Sequence, residues 1–321
     1  MLLGKDDFMV KAILLFVVGL ILICLAGDRL VDAAVIIAKK LNIPEMVVGA
    51  TIVSLGTTLP EILVSTTAAF SGSTEIAAGN AFGSIICNTA LIAGLTQLIK
   101  PAENVNTAPL KWRSIFFALV MICLNYVGYS TGKISRPAGF ALISLFIVYA
   151  YLNIRMSSVD GDSEDAQTEA DKNTTVFVQL AILAICAALL YIGAKLLVDN
   201  GVFIAETVGV PQRVIAVTFI ALGTSLPELV TSIVSIIKGY ENVGFGNIIG
   251  ANTLNMLLVM GIPSAVAGIP LSESTTLWDM PIALIVMTIL ILPILIRKKS
   301  SRIQGVVLLG IYAYYCASSF I

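Results

Sequence analysis

The chain predicts an all-α polytopic membrane protein with ten transmembrane helices in a 5+5 inverted-topology repeat. Two observations carry this. First, 58% of the 321 residues are hydrophobic and only 12% are charged, about half the charged share of a soluble domain. Second, Gly56-Thr57-Thr58-Leu59-Pro60-Glu61 returns as Gly223-Thr224-Ser225-Leu226-Pro227-Glu228, and Gly79-Asn80-Ala81-Phe82-Gly83-Ser84 as Gly246-Asn247-Ile248-Ile249-Gly250-Ala251. Both returns come at an offset of 167 residues (228 − 61).

Ten apolar segments are long enough to cross about 30 Å of hydrocarbon. They fall near 9–38, 46–70, 77–99, 112–129, 137–154, 175–200, 213–237, 244–262, 276–296 and 303–321. The polar run Ser157–Asn173 divides them into a first five-helix repeat (1–156), an acidic linker (157–173) and a second repeat (174–321). The alignment extends beyond the motifs. Arg29-Leu30-Val31-Asp32 faces Leu196-Leu197-Val198-Asp199, Ile43-Pro44 faces Val210-Pro211, and Asn88 faces Asn255. Five crossings are odd, so the second half enters the membrane from the opposite side. A pseudo-twofold axis in the membrane plane then brings matched residues together near the midplane.

Loop charge sets the orientation. With the N-terminus outside, the inner loops hold Lys39, Lys40, Lys100, Lys111, Arg113, Arg155, Lys172, Lys238, Arg297, Lys298, Lys299 and Arg302. The outer side holds Lys5, Lys11, Lys133, Arg136 and Arg213. That excess places both termini outside and the acidic linker inside. The first apolar run has no small-residue cleavage site after it and continues into repeat-matched sequence, so it reads as a mature helix.

Several chemistries are excluded early. Histidine is absent, which removes the commonest transition-metal ligand and near-neutral proton shuttle. The five cysteines show no CxxC spacing and read as small buried hydrophobes. No basic block with interleaved aromatics supports nucleic-acid binding. There is no Gly-x-Gly-Asp and no nucleophile–base pair, so the chain is not read as an enzyme. The acidic run Asp160–Asp165 has Asp165 where an EF-hand loop needs Gly and reads as a solvated connection.

The repeated motif carries the chemistry. On a helix, Ser54, Thr57, Thr58 and Glu61 share one face. Pro60 has no N–H, and its ring clashes with the Gly56 carbonyl, releasing that oxygen from the ladder. In lipid such a break persists only inside protein or along a cavity. A carboxylate, hydroxyls and freed carbonyls are ligands for hard cations such as Ca²⁺ and Na⁺. Ala221, Thr224, Ser225 and Glu228 form the matching face, with Pro227 freeing Gly223. The Gly-Asn-x-x-Gly segments permit close helix approach. Ser84 and Asn88 share a face beyond them, answered by Ala251 and Asn255. Glu61, Asn88, Glu228 and Asn255 thereby converge. One such motif would read as a kinked helix with a satisfied polar group; two in an inverted repeat read as a site. Asn80 and Asn247 are expected to be packing or loop-end residues. Asp32, Asp199, Arg29 and Lys195 are expected near helix ends, snorkelling or paired. With no cation bound, at least one of the two buried carboxylates should take up a proton, because like charges repel strongly in low dielectric. The long, repeat-matched first and sixth helices lack the site motifs and are candidates for a moving gate.

These elements resemble the α-repeats of the cation/Ca²⁺ exchanger superfamily, specifically its sodium/calcium exchanger branch in prokaryotic form. The resemblance covers nearly the whole chain. It implies Glu61 and Glu228 as central Ca²⁺ ligands, with Thr57 and Thr224 lending oxygens. It implies Na⁺ positions at Ser54 and Ala221 (through backbone carbonyls), Thr58, Ser225 and Ser84, with Asn88 and Asn255 completing the ring. Two departures stand out. Asn255 replaces the Asp of some prokaryotic and potassium-dependent relatives, arguing against K⁺ co-transport. Ala251 replaces a frequent Ser, removing a hydroxyl from one Na⁺ position. The large cytosolic regulatory domain of animal members is replaced by the acidic linker.

The function expected is antiport of Na⁺ against Ca²⁺ by alternating access, in a monomer of the prokaryotic cell membrane. Both ions are substrates, and no resident cofactor is expected. H⁺/Ca²⁺ exchange is the nearest alternative, although the Gly-Asn-x-x-Glu pattern of proton-coupled relatives is missing. A passive cation channel is the alternative from another class.

Overall fold

The computed structural model describes residues 5–103, 105, 107–157, 175–209 and 221–318. The acidic linker with Lys172, Val210-Pro211, Arg213 and the first part of the expected 213–237 span lie outside the described residues.

The helices are α1 (Lys5–Leu41), α2 (Glu45–Thr57), α3 (Leu59–Phe70), α4 (Thr74–Ile99), α5 (Thr107–Thr131) and α6 (Arg136–Ser157) in the first half. The second half holds α7 (Val176–Thr207), a short turn of helix at Ala221–Gly223, α8 (Leu226–Ile237), α9 (Glu241–Ala267), α10 (Thr275–Arg297) and α11 (Arg302–Ser318). Seven of these are long and apolar enough to cross a membrane, and eight when α2 and α3, bent by 44°, are taken as one broken span. Among the described residues α8 and α11 are shorter, at 12 and 17 residues. Where residues are described, the expected spans overlap these helices, and seven or eight of the helices meet the length and apolarity needed to cross a membrane.

The order of burial fixes what is central. The most apolar window of α9 is 94% buried and that of α4 72%, against 17% for α1. The Gly-Asn motif helices are thus the core, and α1 lies across it. Glycine permits this packing at two places. A Cβ on Gly19 of α1 would lie 2.8 Å from the Gly193 carbonyl oxygen of α7, so these helices cross backbone to backbone. A Cβ on Gly250 of α9 would lie 2.6 Å from Ala50 Cα in α2. A two-residue antiparallel pairing, Lys133–Ile134 with Ile269–Pro270, ties the loop after α5 to the loop after α9.

Among the described residues four π-helical turns interrupt the ladders: Gly49–Val53 in α2, Cys87–Ile92 in α4, Asn255–Val259 in α9 and Thr275–Asp279 at the start of α10. Such turns shift the hydrogen-bond frame by one residue and occur often at functional sites. Two sequence expectations need correction. Arg113 is no loop cation: it is 1% exposed within α5, its Nε donating to Asn153 Oδ1 at 2.7 Å and its Nη1 to the Pro109 carbonyl at 2.7 Å. Asp32, Asp199, Arg29 and Lys195 sit well inside α1 and α7, because both helices continue past the expected ends, although Asp32 is ion-paired, as expected, with Lys238.

Candidate functional site

Each half breaks its motif helix at the same point. Thr58 (φ −83°, ψ −1°) separates α2 from α3, and Ser225 (φ −89°, ψ 6°) precedes α8. Pro60 and Pro227 occupy the first turns of α3 and α8, where a missing N–H costs nothing. Glu61 and Glu228 follow in those same turns, with the partial positive charge of a helix N-terminus beneath them. Both carboxylates are 0% exposed, and among the described residues neither makes an ion pair.

The two halves exchange hydrogen bonds reciprocally. Thr58 Oγ1 donates to Glu228 Oε1 at 3.2 Å, and Ser225 Oγ donates to Glu61 Oε1 at 3.5 Å. Thr57 Oγ1 donates to Asn247 Oδ1 at 3.1 Å, and Thr224 Oγ1 to Asn80 Oδ1 at 3.4 Å. In each pair the second bond is the first with the halves swapped, as in an isologous twofold contact. The hydroxyls that sequence periodicity places beside their own glutamate thus serve the opposite repeat.

Asn88 and Asn255 complete this pattern. Asn88 lies in the π turn of α4, against which α8 packs; Asn255 opens the π turn of α9, against which α3 packs. Both are 0% exposed. Among the described residues their side-chain oxygens and nitrogens, with Glu61 Oε2 and Glu228 Oε2, are buried without hydrogen-bond partners. Buried polar atoms are usually paired, so these oxygens are free to accept from a ligand. Ser54 is fully buried, its Oγ donating to the Thr51 carbonyl at 3.2 Å, and Ser84 is 4% exposed. Ala221 lies in the short helical turn before Thr224; of its side chain nothing is described.

Asn80 and Asn247 lie inside α4 and α9 and not at loop ends, each accepting a hydrogen bond from a motif threonine of the opposite half. Asn80 Nδ2 also donates to the Glu61 carbonyl at 3.2 Å and to Ser65 Oγ at 2.8 Å. Their signal was present in the sequence: an amide repeated at the same offset inside an apolar run needs partners, and the nearest are the motif hydroxyls. Asn252, whose Nδ2 donates to Thr89 Oγ1 at 2.7 Å, gave no such signal, because it has no repeat-matched amide.

A cavity of about 310 Å³ leads toward this centre. It is lined by Pro60 and Val64 of α3, by Tyr191, Ala194, Lys195, Val198 and Asp199 of α7, and by Gly223 and Thr224. On the symmetry-related side α1 packs against α8, with Gly27 against Val230.

The family model described as "Sodium/calcium exchanger protein" matches residues 11–155 and 178–321. The putative antiporter CaxA of Alkalimonas amylolytica is 32% identical over 96% of this chain and 98% of its own. The sodium/calcium exchanger MaX1 of Methanosarcina acetivorans is 28% identical over 96% of this chain and 98% of its own. Among solved structures, the sodium-calcium exchanger NCX_Mj soaked with Na⁺ and Sr²⁺ superposes with a TM-score of 0.83 at 30% identity, covering 97% of this chain and 99% of that one. With matches over both halves and nearly the full length of these relatives, the chain belongs to the sodium/calcium exchanger protein family of membrane transporters.

Proposed function

We propose that the chain is a secondary antiporter that exchanges Na⁺ for Ca²⁺ across the cell membrane by alternating access. The observation that carries this is the reciprocal hydroxyl–carboxylate exchange, Thr58 to Glu228 and Ser225 to Glu61, around carboxylate and amide oxygens left without partners. Two carboxylates balance one Ca²⁺ or monovalent ions in its place. Ca²⁺ accepts six to eight oxygens in flexible geometry, which the crossed hydroxyls, amides and broken-helix carbonyls supply.

In this reading Glu61 and Glu228 hold Ca²⁺ together with Thr57 and Thr224. Na⁺ occupies flanking positions built from Ser54, Thr58, Ser84, Ala221 and Ser225, and Asn88 and Asn255 close the ring. The two halves, 1–156 and 174–321, form the 5+5 inverted repeat, joined by the linker at 157–173. Both termini face outside, and the protein works as a monomer with no resident cofactor. The reciprocal bonds and the matched breaks at Thr58 and Ser225 support the pseudo-twofold relation; the lysine- and arginine-rich loops support the orientation.

The test is Ca²⁺ counterflow in sealed proteoliposomes. An outward Na⁺ gradient should drive ⁴⁵Ca²⁺ uptake, and its absence in the wild-type protein refutes the proposal. Proton coupling is the second reading, favoured by Ala251, which offers no hydroxyl to Na⁺. It requires Ca²⁺ uptake driven by a pH gradient in Na⁺-free buffer.

A further inference from the structure

The two gates of this molecule are unequal. On one side Lys238, immediately after α8, reaches across to α1. Its Nζ lies 2.7 Å from Asp28 Oδ1 and 2.7 Å from Asp32 Oδ1, and donates to the Asp28 carbonyl at 3.0 Å. Beside this contact Gly27 leaves room for Val230; a Cβ there would lie 2.7 Å from Val230 Cγ1.

The repeat-matched positions carry different chemistry. Lys238 corresponds to Ser71, whose Oγ donates at 2.7 Å to the Thr67 carbonyl of its own helix. Asp28 corresponds to Lys195 and Asp32 to Asp199, both lining the open cavity. Gly27 corresponds to Ala194 and Val230 to Leu63, which is 52% exposed. The α7–α3 side therefore has no cation on α3 to meet α7 and bulkier residues where the close contact would form. Its cavity of about 310 Å³ lies between α7 and α3; the cavity of about 290 Å³ on the α1 side is lined by residues of α1 and α7 and by Tyr240, Asp32 among them, and none of α8.

We propose that Lys238, clasping Asp28 and Asp32, is a one-sided latch that holds the α1–α8 gate shut. It biases the resting transporter toward the state open between α7 and α3. The inference rests on the alternating-access reading, because a latch matters only if that gate opens during turnover. Three features join in the bias: two ion pairs, a carbonyl hydrogen bond, and a glycine that lets the helices meet. None has a counterpart in the other repeat, so the two facing states of a near-symmetric scaffold differ in energy.

The test uses the full chain in proteoliposomes, with its five native cysteines replaced. One reporter is Val198→Cys, in the open cavity, and the other is its repeat-matched partner Val31→Cys, which is 0% exposed. Labelling by a membrane-impermeant maleimide, added to either side, is followed for each. Without further substitution, Val198→Cys should label and Val31→Cys should not. Lys238→Met should raise the labelling rate at Val31→Cys about fivefold and lower that at Val198→Cys, the scale of a partly exposed ion-pair cluster. The charge reversal Lys238→Asp with Asp32→Lys should return both rates toward the starting values, which a merely misfolded variant would not do. Unchanged rates in Lys238→Met, or failure of the reversal to restore them, overturns the latch. Labelling that shifts in a protein with no Na⁺-driven ⁴⁵Ca²⁺ flux supports the latch and refutes the ion coupling. Intact flux with unshifted labelling refutes the latch alone.

Discussion

Replacing Ser54 by Ala should weaken Na⁺ coupling, and adding a hydroxyl at Ala251 should repair it. The internal symmetry is broken at two positions: Ser54 is answered by Ala221, and Ser84 by Ala251. The fold pairs these positions across the halves. The α2 segment carrying Ser54 packs on the helix carrying Ala251, and the turn carrying Ala221 packs on the helix carrying Ser84. A Cβ on Gly250 would lie 2.5 Å from Ser54 Oγ, so that hydroxyl lies against the α9 backbone next to Ala251. In the proposed reading each flanking Na⁺ position then keeps one serine, and Ser54 stands in for the hydroxyl missing at 251. Ser54 is fully buried, so no solvent replaces a deleted hydroxyl. A lost neutral interaction of about 1 kcal/mol corresponds to about a fivefold rise in the Na⁺ concentration giving half-maximal flux. Na⁺-driven ⁴⁵Ca²⁺ flux in proteoliposomes measures it, with Ca²⁺/Ca²⁺ self-exchange in the same vesicles as reference. Ser54→Ala should lose more of the Na⁺-driven flux than of the self-exchange. Ala251→Ser in the Ser54→Ala background should bring the half-maximal Na⁺ back toward wild type. An unchanged Na⁺ dependence in Ser54→Ala, or no repair by Ala251→Ser, refutes the reasoning.

Glu61→Gln and Glu228→Gln should each abolish Ca²⁺ counterflow. At an effective dielectric near 20 a unit charge about 4 Å from a divalent ion is worth about 8 kcal/mol of attraction, about 4 for each pair of unit charges, so affinity should fall by at least about a thousandfold; equilibrium ⁴⁵Ca²⁺ binding reads this directly. Asn247→Ala removes the acceptor of the Thr57 hydroxyl, and Asn80→Ala that of Thr224. Each should raise half-maximal Ca²⁺ several-fold, and equal transport to wild type would exclude a positioning role. Gly250→Ala forces a methyl against Ser54 Oγ and the Ala50 backbone. It should lower thermal stability by about 1–3 kcal/mol through overpacking, read as a lower melting temperature in detergent.

Much of the candidate site was legible because duplication made it so. A carboxylate in an apolar run, a proline one residue before it and hydroxyls three and four residues before it are local facts. Their return at a constant offset marks them without any structure. The positions that escaped reading depend on distances between chain segments. Asn80 and Asn247 look like packing amides until α4 and α9 are set against the opposite repeat's threonines. Arg113 looks like a loop cation until Asn153, forty residues on, is seen to accept a hydrogen bond from its Nε at 2.7 Å. The π turns at Cys87–Ile92 and Asn255–Val259 leave no sequence mark, because one shifted hydrogen bond needs no special residue.

By itself the sequence determined the helices, the two matched motifs, the residue types of a hard-cation site and the resemblance to an exchanger family. Those follow from hydropathy, proline geometry and ligand chemistry, which act within a few residues. Only the tertiary structure decided which hydroxyl serves which carboxylate and that the bonds cross between the halves. It also decided that Lys238, at the end of α8, pairs with Asp28 and Asp32 of α1. Those outcomes rest on pairings across more than a hundred residues of chain. In a duplicated protein, local sequence offers both the same-half and the opposite-half partner, and packing selects between them.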